Sequence, residues 1–185
     1  MDLMDKLDFH RVDFHVHTRD YPSWGSIPLN EVIQQSCRRG LYCIALTDHW
    51  KENTDLRIFL EERRKINETD TNLRIFLSAE VEVLNLQGDT PINLKIHRRV
   101  LEKMDYLSAA PHHGEFLPNS LHSLVGKEDL PKDKVGIIEY AHRKLMNILK
   151  NDMFEYVLHP WVTALADLVA WGYSQVPSFE DIPEK

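Results

Sequence analysis

The chain has 185 residues, 43% of them hydrophobic, which is enough for one ordinary domain with a sizeable core. Its 22 Lys and Arg residues against 29 Asp and Glu residues give a formal net charge of -7. Because this balance provides no basic field for a phosphodiester backbone, stable nucleic-acid binding is disfavoured. We therefore interpret residues 1–185 as a single globular domain.

The cysteine content and the N-terminal residues favour a reducing compartment. Cys37 and Cys43 are the only cysteines and form no C-x-x-C motif, and the charged residues 1–10 lack the apolar core of a secretory leader. No segment approaches the ~20 apolar residues that a membrane span needs. We expect a cytoplasmic protein without a membrane partner.

Short apolar runs alternate with longer amphipathic stretches. Strands are predicted at residues 11–15, 42–47, 73–83, 106–110 and 156–158. Helices are predicted at residues 29–39, 55–67, 92–103 and 132–150. Pro28 and Asn30 mark the start of the first helix and Gly40 marks its end. A repeated order of strand and helix indicates an α/β fold with a parallel sheet and right-handed crossovers.

The number of predicted strands is too small for an eight-stranded barrel. Either the sheet is open or the chain stops early, and residues 175–185, with Pro177 and Pro183, are typical of a linker or the start of another helix. An open sheet exposes unpaired backbone N–H and C=O groups, which invite pairing with another chain. We therefore expect a homo-oligomer, or a fold that is incomplete at its C-terminus.

The end of the first predicted strand carries an H-x-H motif, formed by His15 and His17. Because side chains alternate along a strand, both imidazoles point the same way and can reach one metal ion. Asp13 shares that face and is placed to orient a ligand histidine. In a chain with 10 histidines, one such motif is weak evidence by itself.

The later strands strengthen the H-x-H signal, because each also runs into a residue that can bind metal. Asp48 and His49 follow the second strand, Glu80 lies in the third, His112 and His113 follow the fourth, and His159 follows the fifth. The carboxyl ends of parallel strands gather at one edge of a sheet, where ligands and catalytic groups lie. The sequence therefore predicts a metal site at this edge.

Imidazoles with a carboxylate suit Zn, Fe or Mn, whereas Mg and Ca prefer oxygen ligands alone. A glutamate such as Glu80 can bridge two ions ~3.5–4 Å apart, and such ions lower the pKa of bound water toward ~7. Hydroxide is then available as the nucleophile at neutral pH. The chain contains no G-x-S-x-G, P-loop or G-x-G-x-x-G motif.

Each residue also has a structural explanation. Asp48 with His49 could cap a helix, and only one of His112 and His113 needs to be a ligand. Arg19 could hold a phosphate bidentately or lie solvated in a loop. His10, His97, His122 and His142 lie away from the strand ends, where surface positions are expected.

The motifs resemble those of the polymerase and histidinol phosphatase (PHP) family of metal-dependent phosphoesterases. They are DFHVHT at residues 13–18, LTDH at 46–49, AEVE at 79–82, DYL at 105–107 followed by His112, and VLHP at 157–160. They occur in order over almost the whole chain. The resemblance implies a distorted seven-stranded TIM-like barrel with a trinuclear site. In it, His15, His17, Glu80, His112 and His159 serve the first two ions, and His49 serves the third.

The sequence departs from the family pattern in two places. Many relatives carry a further histidine shortly after H-x-H, where residues 21–25 read YPSWG. The closing Asp-x-His motif has no counterpart, since no histidine follows His159. The first departure implies a weak or absent third metal site. The second implies a truncated barrel or a degenerate member with an incomplete site.

These observations predict a hydrolase that uses two or three divalent ions. Metal-bound hydroxide is expected to attack the phosphorus of the substrate. The expected substrate is a small phosphomonoester, such as histidinol phosphate, or a short phosphodiester. The candidate catalytic residues are Glu80, Asp48 and Arg19. The candidate metal ligands are His15, His17, His49, Glu80, His112, His113 and His159.

Two alternatives remain open. An amidohydrolase-like deaminase or amidase also begins with H-x-H, although the late-strand aspartate that such enzymes use as a base is missing here. The other alternative is a non-catalytic metal-binding domain that has lost its last ligands.

Overall fold

The computed structural model describes residues 9–18, 27–112, 131 and 133–160. These residues form an α/β structure with parallel sheets, which confirms the predicted fold class. The strands are β1 (Val12–Val16), β2 (Cys43–Leu46), β3 (His49–Trp50), β4 (Arg74–Leu77), β5 (Glu80–Glu82), β6 (Ser108–Ala110) and β7 (Tyr156–Val157). The α-helices are α1 (Leu29–Arg38), α2 (Arg57–Glu68), α3 (Arg98–Leu101) and α4 (Lys134–Ile148), and a short 3-10 helix at Phe9–Arg11 precedes β1.

The chain divides into two compact units. The first comprises Met1–Ala79 and Asn93–Tyr106, and the second comprises Glu80–Ile92 and Leu107–Lys185. No described helix is long and apolar enough to cross a membrane.

The first unit contains a parallel sheet in the order β1-β2-β4. Its central strand, β2, pairs with a strand on each side, and all four of its residues are buried, so both of its faces are covered. This explains why its sequence is a continuous apolar run rather than an alternating one. Helix α1 buries Leu29, Val32, Ile33 and Ser36, at the spacing of one helical face. As predicted, Pro28 precedes the first turn of α1, and Gly40 follows the helix with a φ of +73°.

The second unit contains the parallel neighbours β5, β6 and β7. Its central strand, β6, consists of Ser108, Ala109 and Ala110, all buried, and these small side chains leave room for larger neighbours. Val83, Ala109 and Ile148 form a buried cluster against which Phe154 and Val157 pack. Helix α4 thus packs against this sheet with the face that carries Ile148.

The single strand predicted at residues 73–83 is wrong, because two strands occupy that stretch. Strand β4 ends at Leu77, and β5 begins at Glu80. The carboxylate of Asp105 accepts the backbone N–H of Leu77 at 2.7 Å, and the N–H of Asp105 donates to the Leu77 carbonyl at 2.8 Å. Asp105 therefore takes up, at the end of β4, the hydrogen bonds that a further strand would form.

The long helix predicted at residues 92–103 is also wrong, since only Arg98–Leu101 is α-helical. The side-chain oxygen of Asn93 accepts the N–H groups of Lys95 and Ile96, both at 3.1 Å. An asparagine that binds nearby backbone in this way offers the chain a turn in place of a helix. The amphipathic pattern failed here because it does not take account of this local competition.

Candidate metal centre

The first set of candidate ligands lies at the carboxyl end of β1. His15 belongs to β1 and His17 follows it, and their Nε2 atoms lie 3.1 Å apart. The two rings meet edge to face, with centroids 4.9 Å apart. Two nitrogens bound at ~2.0–2.1 Å to one tetrahedral ion would stand about 3.3 Å apart. The side-chain alternation predicted for the H-x-H motif therefore brings both imidazoles to a spacing that one ion can use.

His49 adds a third imidazole to this part of the first unit. It begins β3, is 6% exposed, and stacks on His17 with ring centroids 4.7 Å apart and an interplanar angle of 17°. The stacking holds the ring plane of His17. We call His15, His17, His49 and Asp48 the His15 group.

Asp48 is the carboxylate beside His17. Its Oδ1 lies 3.4 Å from Nδ1 of His17 and accepts the backbone N–H of Thr18 at 2.9 Å. Its Oδ2 accepts the Thr18 hydroxyl at 2.8 Å. Burial raises the pKa of Asp48, but its hydrogen-bond partners, led by His17 and Glu62, outweigh burial and hold the pKa below its ordinary value. Asp48 is therefore an anion at neutral pH.

The anionic Asp48 beside Nδ1 affects the tautomer of His17, a candidate ligand. A carboxylate in this place favours the tautomer of His17 that carries its proton on Nδ1, which leaves the lone pair on Nε2, the atom that faces His15. Asp13, which the sequence placed in this orienting role, is exposed and accepts the backbone N–H of His15 at 3.0 Å. Asp48, one strand further along the chain, is the carboxylate beside the imidazole.

The second set of candidate ligands lies in the second unit, and we call Glu80, His112 and His159 the Glu80 group. Glu80 begins β5 and is 1% exposed, while His112 and His159 follow the ends of β6 and β7. Oε1 of Glu80 lies 2.9 Å from Nε2 of His112 and 2.9 Å from Nε2 of His159. The two imidazoles stack with centroids 5.1 Å apart. Three strand positions thus bring one carboxylate and two imidazoles together.

The backbone around the Glu80 group carries two unusual features. His159 has a φ of 28°, in the left-handed region that non-glycine residues rarely adopt. Such strain persists where surrounding structure enforces it, and it is common at functional sites. Lys144 of α4 is 0% exposed, and its ammonium donates to the carbonyl of His112 at 2.7 Å. Lys144 therefore anchors the chain at one candidate ligand.

The donor chemistry of these residues fits a divalent transition metal. Histidine and glutamate side chains of the described residues form groups that could hold a metal ion. Separations of 2.9 Å also suit hydrogen bonds, so the type of donor carries more weight than the distance. A set of imidazoles with a carboxylate is typical of zinc, iron or manganese sites.

Two of the candidate residues lie outside the described part of the chain. They are Arg19, the candidate phosphate ligand, and His113, the alternative to His112. Their roles stay predictions. The helix-cap explanation of Asp48 is wrong, because Asp48 precedes the short strand β3 rather than a helix.

Sequence reasoning missed Thr18, Glu62 and Lys144, each of which is 0% exposed. Lys144 could have been found from helical spacing, because it shares a face of α4 with the buried residues Ile137, Ala141 and Ile148. Glu62 lies three residues after the buried Phe59 on α2, which is the same kind of signal. A charged residue in an apolar helical stripe therefore merits attention even without a motif.

Neither a protein-family model nor a curated protein matches this sequence.

Proposed function

We propose that this chain is a metal-dependent phosphoesterase that hydrolyses a small phosphomonoester, histidinol phosphate being one example, or a short phosphodiester. Two or three divalent ions, zinc, manganese or iron, are held by the His15 group and the Glu80 group. The observation that carries the proposal is the carboxylate oxygen of Glu80, at the start of β5, with the imidazole nitrogens of two residues that follow β6 and β7, His112 and His159, each 2.9 Å away.

The chemistry divides between the ions and the protein. When bound, divalent ions act as Lewis acids on a phosphoryl oxygen and lower the pKa of water toward ~7. Glu80 contributes negative charge to the ligand set, and a carboxylate can bridge two cations. Asp48, whose Oδ1 lies 3.4 Å from Nδ1 of His17, would favour a proton on that nitrogen and so leave Nε2 available to an ion. Arg19 would neutralise a substrate phosphate, as the sequence predicts.

The resemblance to the PHP family supports the choice of phosphoric esters over amides. It rests on five motifs, and each of them contains or leads to a residue of the His15 group or the Glu80 group. The finer fold, a distorted TIM-like barrel, belongs to the same proposal. The described residues contain seven strands, the number that the resemblance implies. Cys37 and Cys43 are free thiols, which supports a cytoplasmic protein.

The test is an assay of the whole chain for hydrolysis of phosphate esters after reconstitution with zinc, manganese or iron(II). The substrates are p-nitrophenyl phosphate, histidinol phosphate and bis(p-nitrophenyl) phosphate. We expect turnover that disappears on chelation and returns with metal. Glu80→Gln should lower kcat by more than about 100-fold, because a neutral amide compensates cations poorly. The matched control is Glu102→Gln, which changes an exposed glutamate paired with Arg98.

Two outcomes would contradict the proposal. Metal binding without turnover of any phosphate ester would indicate a non-catalytic metal-binding domain. Metal-dependent hydrolysis of amides or deamination, with phosphate esters untouched, would indicate amidohydrolase chemistry.

A further inference from the structure

The stretch from Asn93 to Lys103, which we call the 93–103 segment, presents large apolar side chains to solvent. Leu94 is 62% exposed and Ile96 is 74% exposed. Single exposed apolar residues are common on protein surfaces and need no explanation. Two that are both more than half exposed, within three positions of the chain, indicate an interaction surface.

Local hydrogen bonds give this part of the chain an ordered shape. The N–H of Asn93 donates to Nδ1 of His97 at 3.1 Å, and the N–H of His97 donates to the Asn93 carbonyl at 2.8 Å. The side-chain oxygen of Asn93 also accepts the N–H groups of Lys95 and Ile96. The His97 ring lies beside the buried ring of Trp50, with centroids 5.4 Å apart. The exposed apolar pair therefore lies on an anchored turn of the first unit.

Basic residues accompany the exposed apolar pair. Lys95 lies between the two apolar residues, and Arg98, Arg99 and Lys103 follow them, all of them exposed. Glu102 is the single acidic residue of the segment, and Arg98 is its partner at 2.8 Å. Within the part of the chain that the structure describes, Lys95, Arg99 and Lys103 have no carboxylate partner. The 93–103 segment is thus locally basic in a chain whose formal net charge is -7.

Exposed apolar side chains with unpaired cations beside them fit a partner that is anionic at its surface and apolar below it. A bilayer that contains anionic phospholipids has both properties. Nucleic acid would offer phosphates to the cations, but no apolar layer to Leu94 and Ile96.

The small size of the apolar pair also favours a lipid surface over another protein. Two side chains bury far less area than the ~1,000 Å² that a stable protein–protein interface needs. Weak, reversible attachment to a bilayer requires only a few apolar side chains in the headgroup layer, together with attraction to anionic lipid.

We propose that the 93–103 segment docks on the surface of a bilayer that contains anionic phospholipid. Leu94 and Ile96 enter the headgroup layer, and Lys95 and Arg99 lie among the phosphates. Such a contact needs no membrane-spanning helix, so the proposal revises the expectation that the chain has no membrane partner. It does not depend on the proposed metal-dependent activity.

The test is sedimentation of the whole chain with lipid vesicles, in the presence of a chelator so that no metal ion bridges protein and phosphate. One set of vesicles is pure phosphatidylcholine, and the other contains about one third phosphatidylserine. We expect partitioning onto the anionic vesicles alone, and we expect it to weaken as salt is added, because salt screens exposed charges.

The apolar contribution is tested by the double variant Leu94→Ser with Ile96→Ser. We expect its partition coefficient onto anionic vesicles to fall about 10-fold, because two apolar side chains no longer leave water. The matched control is Val135→Ser with Leu149→Ser, which changes two apolar residues of α4 that are 64% and 61% exposed. The control should partition like the wild type.

The contribution of charge is tested by Lys95→Gln with Arg99→Gln. Each cation near an anionic bilayer contributes about 5-fold to partitioning, so we expect a loss of about 25-fold. The matched control is Arg57→Gln with Arg64→Gln, which lowers the net charge equally but removes arginines that are paired with carboxylates. We expect the control to lose less than about 3-fold, because it leaves the basic segment intact.

Insertion itself is measured with a tryptophan at the exposed position. In Ile96→Trp we expect the added fluorescence to shift to the blue on anionic vesicles and to be quenched by brominated lipid. Val135→Trp should show neither change, because the proposed contact does not include α4.

Several outcomes would overturn the proposal. They are equal partitioning onto neutral and anionic vesicles, no partitioning onto either, and wild-type partitioning in both double variants of the segment. A lipid-free dimer, observed by sedimentation velocity, that dissociates in Leu94→Ser with Ile96→Ser would assign the segment to a second copy of the chain and overturn the proposal equally. All the substituted side chains are exposed, so the variants should keep the circular dichroism of the wild type.

Discussion

In the His15 group the carboxylate lies on the Nδ1 side of one imidazole, whereas in the Glu80 group the carboxylate lies next to the Nε2 atoms of two imidazoles. Asp48 contacts Nδ1 of His17, on the side of the ring away from Nε2, at 3.4 Å. Glu80 contacts Nε2 of both His112 and His159 at 2.9 Å. The carboxylate is therefore next to the candidate ligand nitrogens in the Glu80 group, but on the opposite side of the ring from Nε2 in the His15 group.

This difference indicates two roles for a carboxylate. One role is to bind an ion directly, and the other is to adjust the properties of a histidine that binds the ion. A carboxylate among the ligand nitrogens contributes its charge directly to an ion. A carboxylate behind an imidazole acts through that ring, by fixing its tautomer and raising its basicity. The surroundings of the two groups also differ. Asp48 is held by buried polar side chains, whereas the backbone at His112 is held by the Lys144 ammonium. Substitutions in the two groups should therefore differ in magnitude.

The largest expected effect is a contrast between Glu80→Gln and Asp48→Asn. Both changes replace a buried carboxylate by an amide of similar size. We expect Glu80→Gln to weaken zinc binding by more than about 100-fold, and Asp48→Asn by about 10-fold to 100-fold, because our proposal makes Glu80 a direct ligand and Asp48 the carboxylate that orients one. Chelator competition measures both affinities.

Asp55→Asn is the control for this contrast, because Asp55 is an exposed aspartate paired with Arg57. Its affinity for zinc should equal that of the wild type. A larger loss in Asp48→Asn than in Glu80→Gln would reverse the roles that we assign to the two carboxylates.

A smaller effect is expected at Lys144, whose ammonium donates to the backbone carbonyl of His112. Lys144→Met keeps the length of the side chain but removes the donor to the His112 carbonyl. We expect a loss of about 1–3 kcal/mol in the free energy of unfolding, because the variant loses a hydrogen bond from a charged donor. Urea unfolding of the metal-free protein measures it.

Lys150→Met, near the end of the same helix and exposed, should change stability by less than about 0.5 kcal/mol. Equal unfolding midpoints for the two methionine variants would show that the Lys144 contact does not stabilise the fold.

The candidate ligands, which stay predictions, were found in the sequence by a rule that is local in the chain. In the sequence, His15 and His17 of the first unit, and Glu80 and His159 of the second, each lie at or next to the end of an apolar run, which is where ligands are expected in parallel α/β folds. The same rule predicted the parallel α/β class. The prediction of the α/β class needed only the alternation of strands and helices, which can be recognised from the apolar and amphipathic segments of the sequence.

What the sequence did not reveal depends on contacts between distant residues. Asp105 caps the Leu77 end of β4 from 28 residues away, so the break between β4 and β5 left no local signal. The partnership of Asp48 with Thr18 spans 30 residues, and Asp13 was preferred as the orienting carboxylate because it is closer in sequence to the H-x-H motif. Periodicity identifies which face a residue occupies, but not which partner it meets there.

The most direct test of the central claim, that histidine and glutamate side chains hold a divalent ion, is zinc K-edge X-ray absorption on the zinc-loaded chain. We predict a shell of nitrogen and oxygen at about 2.0–2.2 Å with the outer-shell scattering of several imidazoles. A sulfur shell near ~2.3 Å, which would bring in Cys37 or Cys43, would contradict the account. An oxygen-only shell without imidazole scattering would contradict it equally.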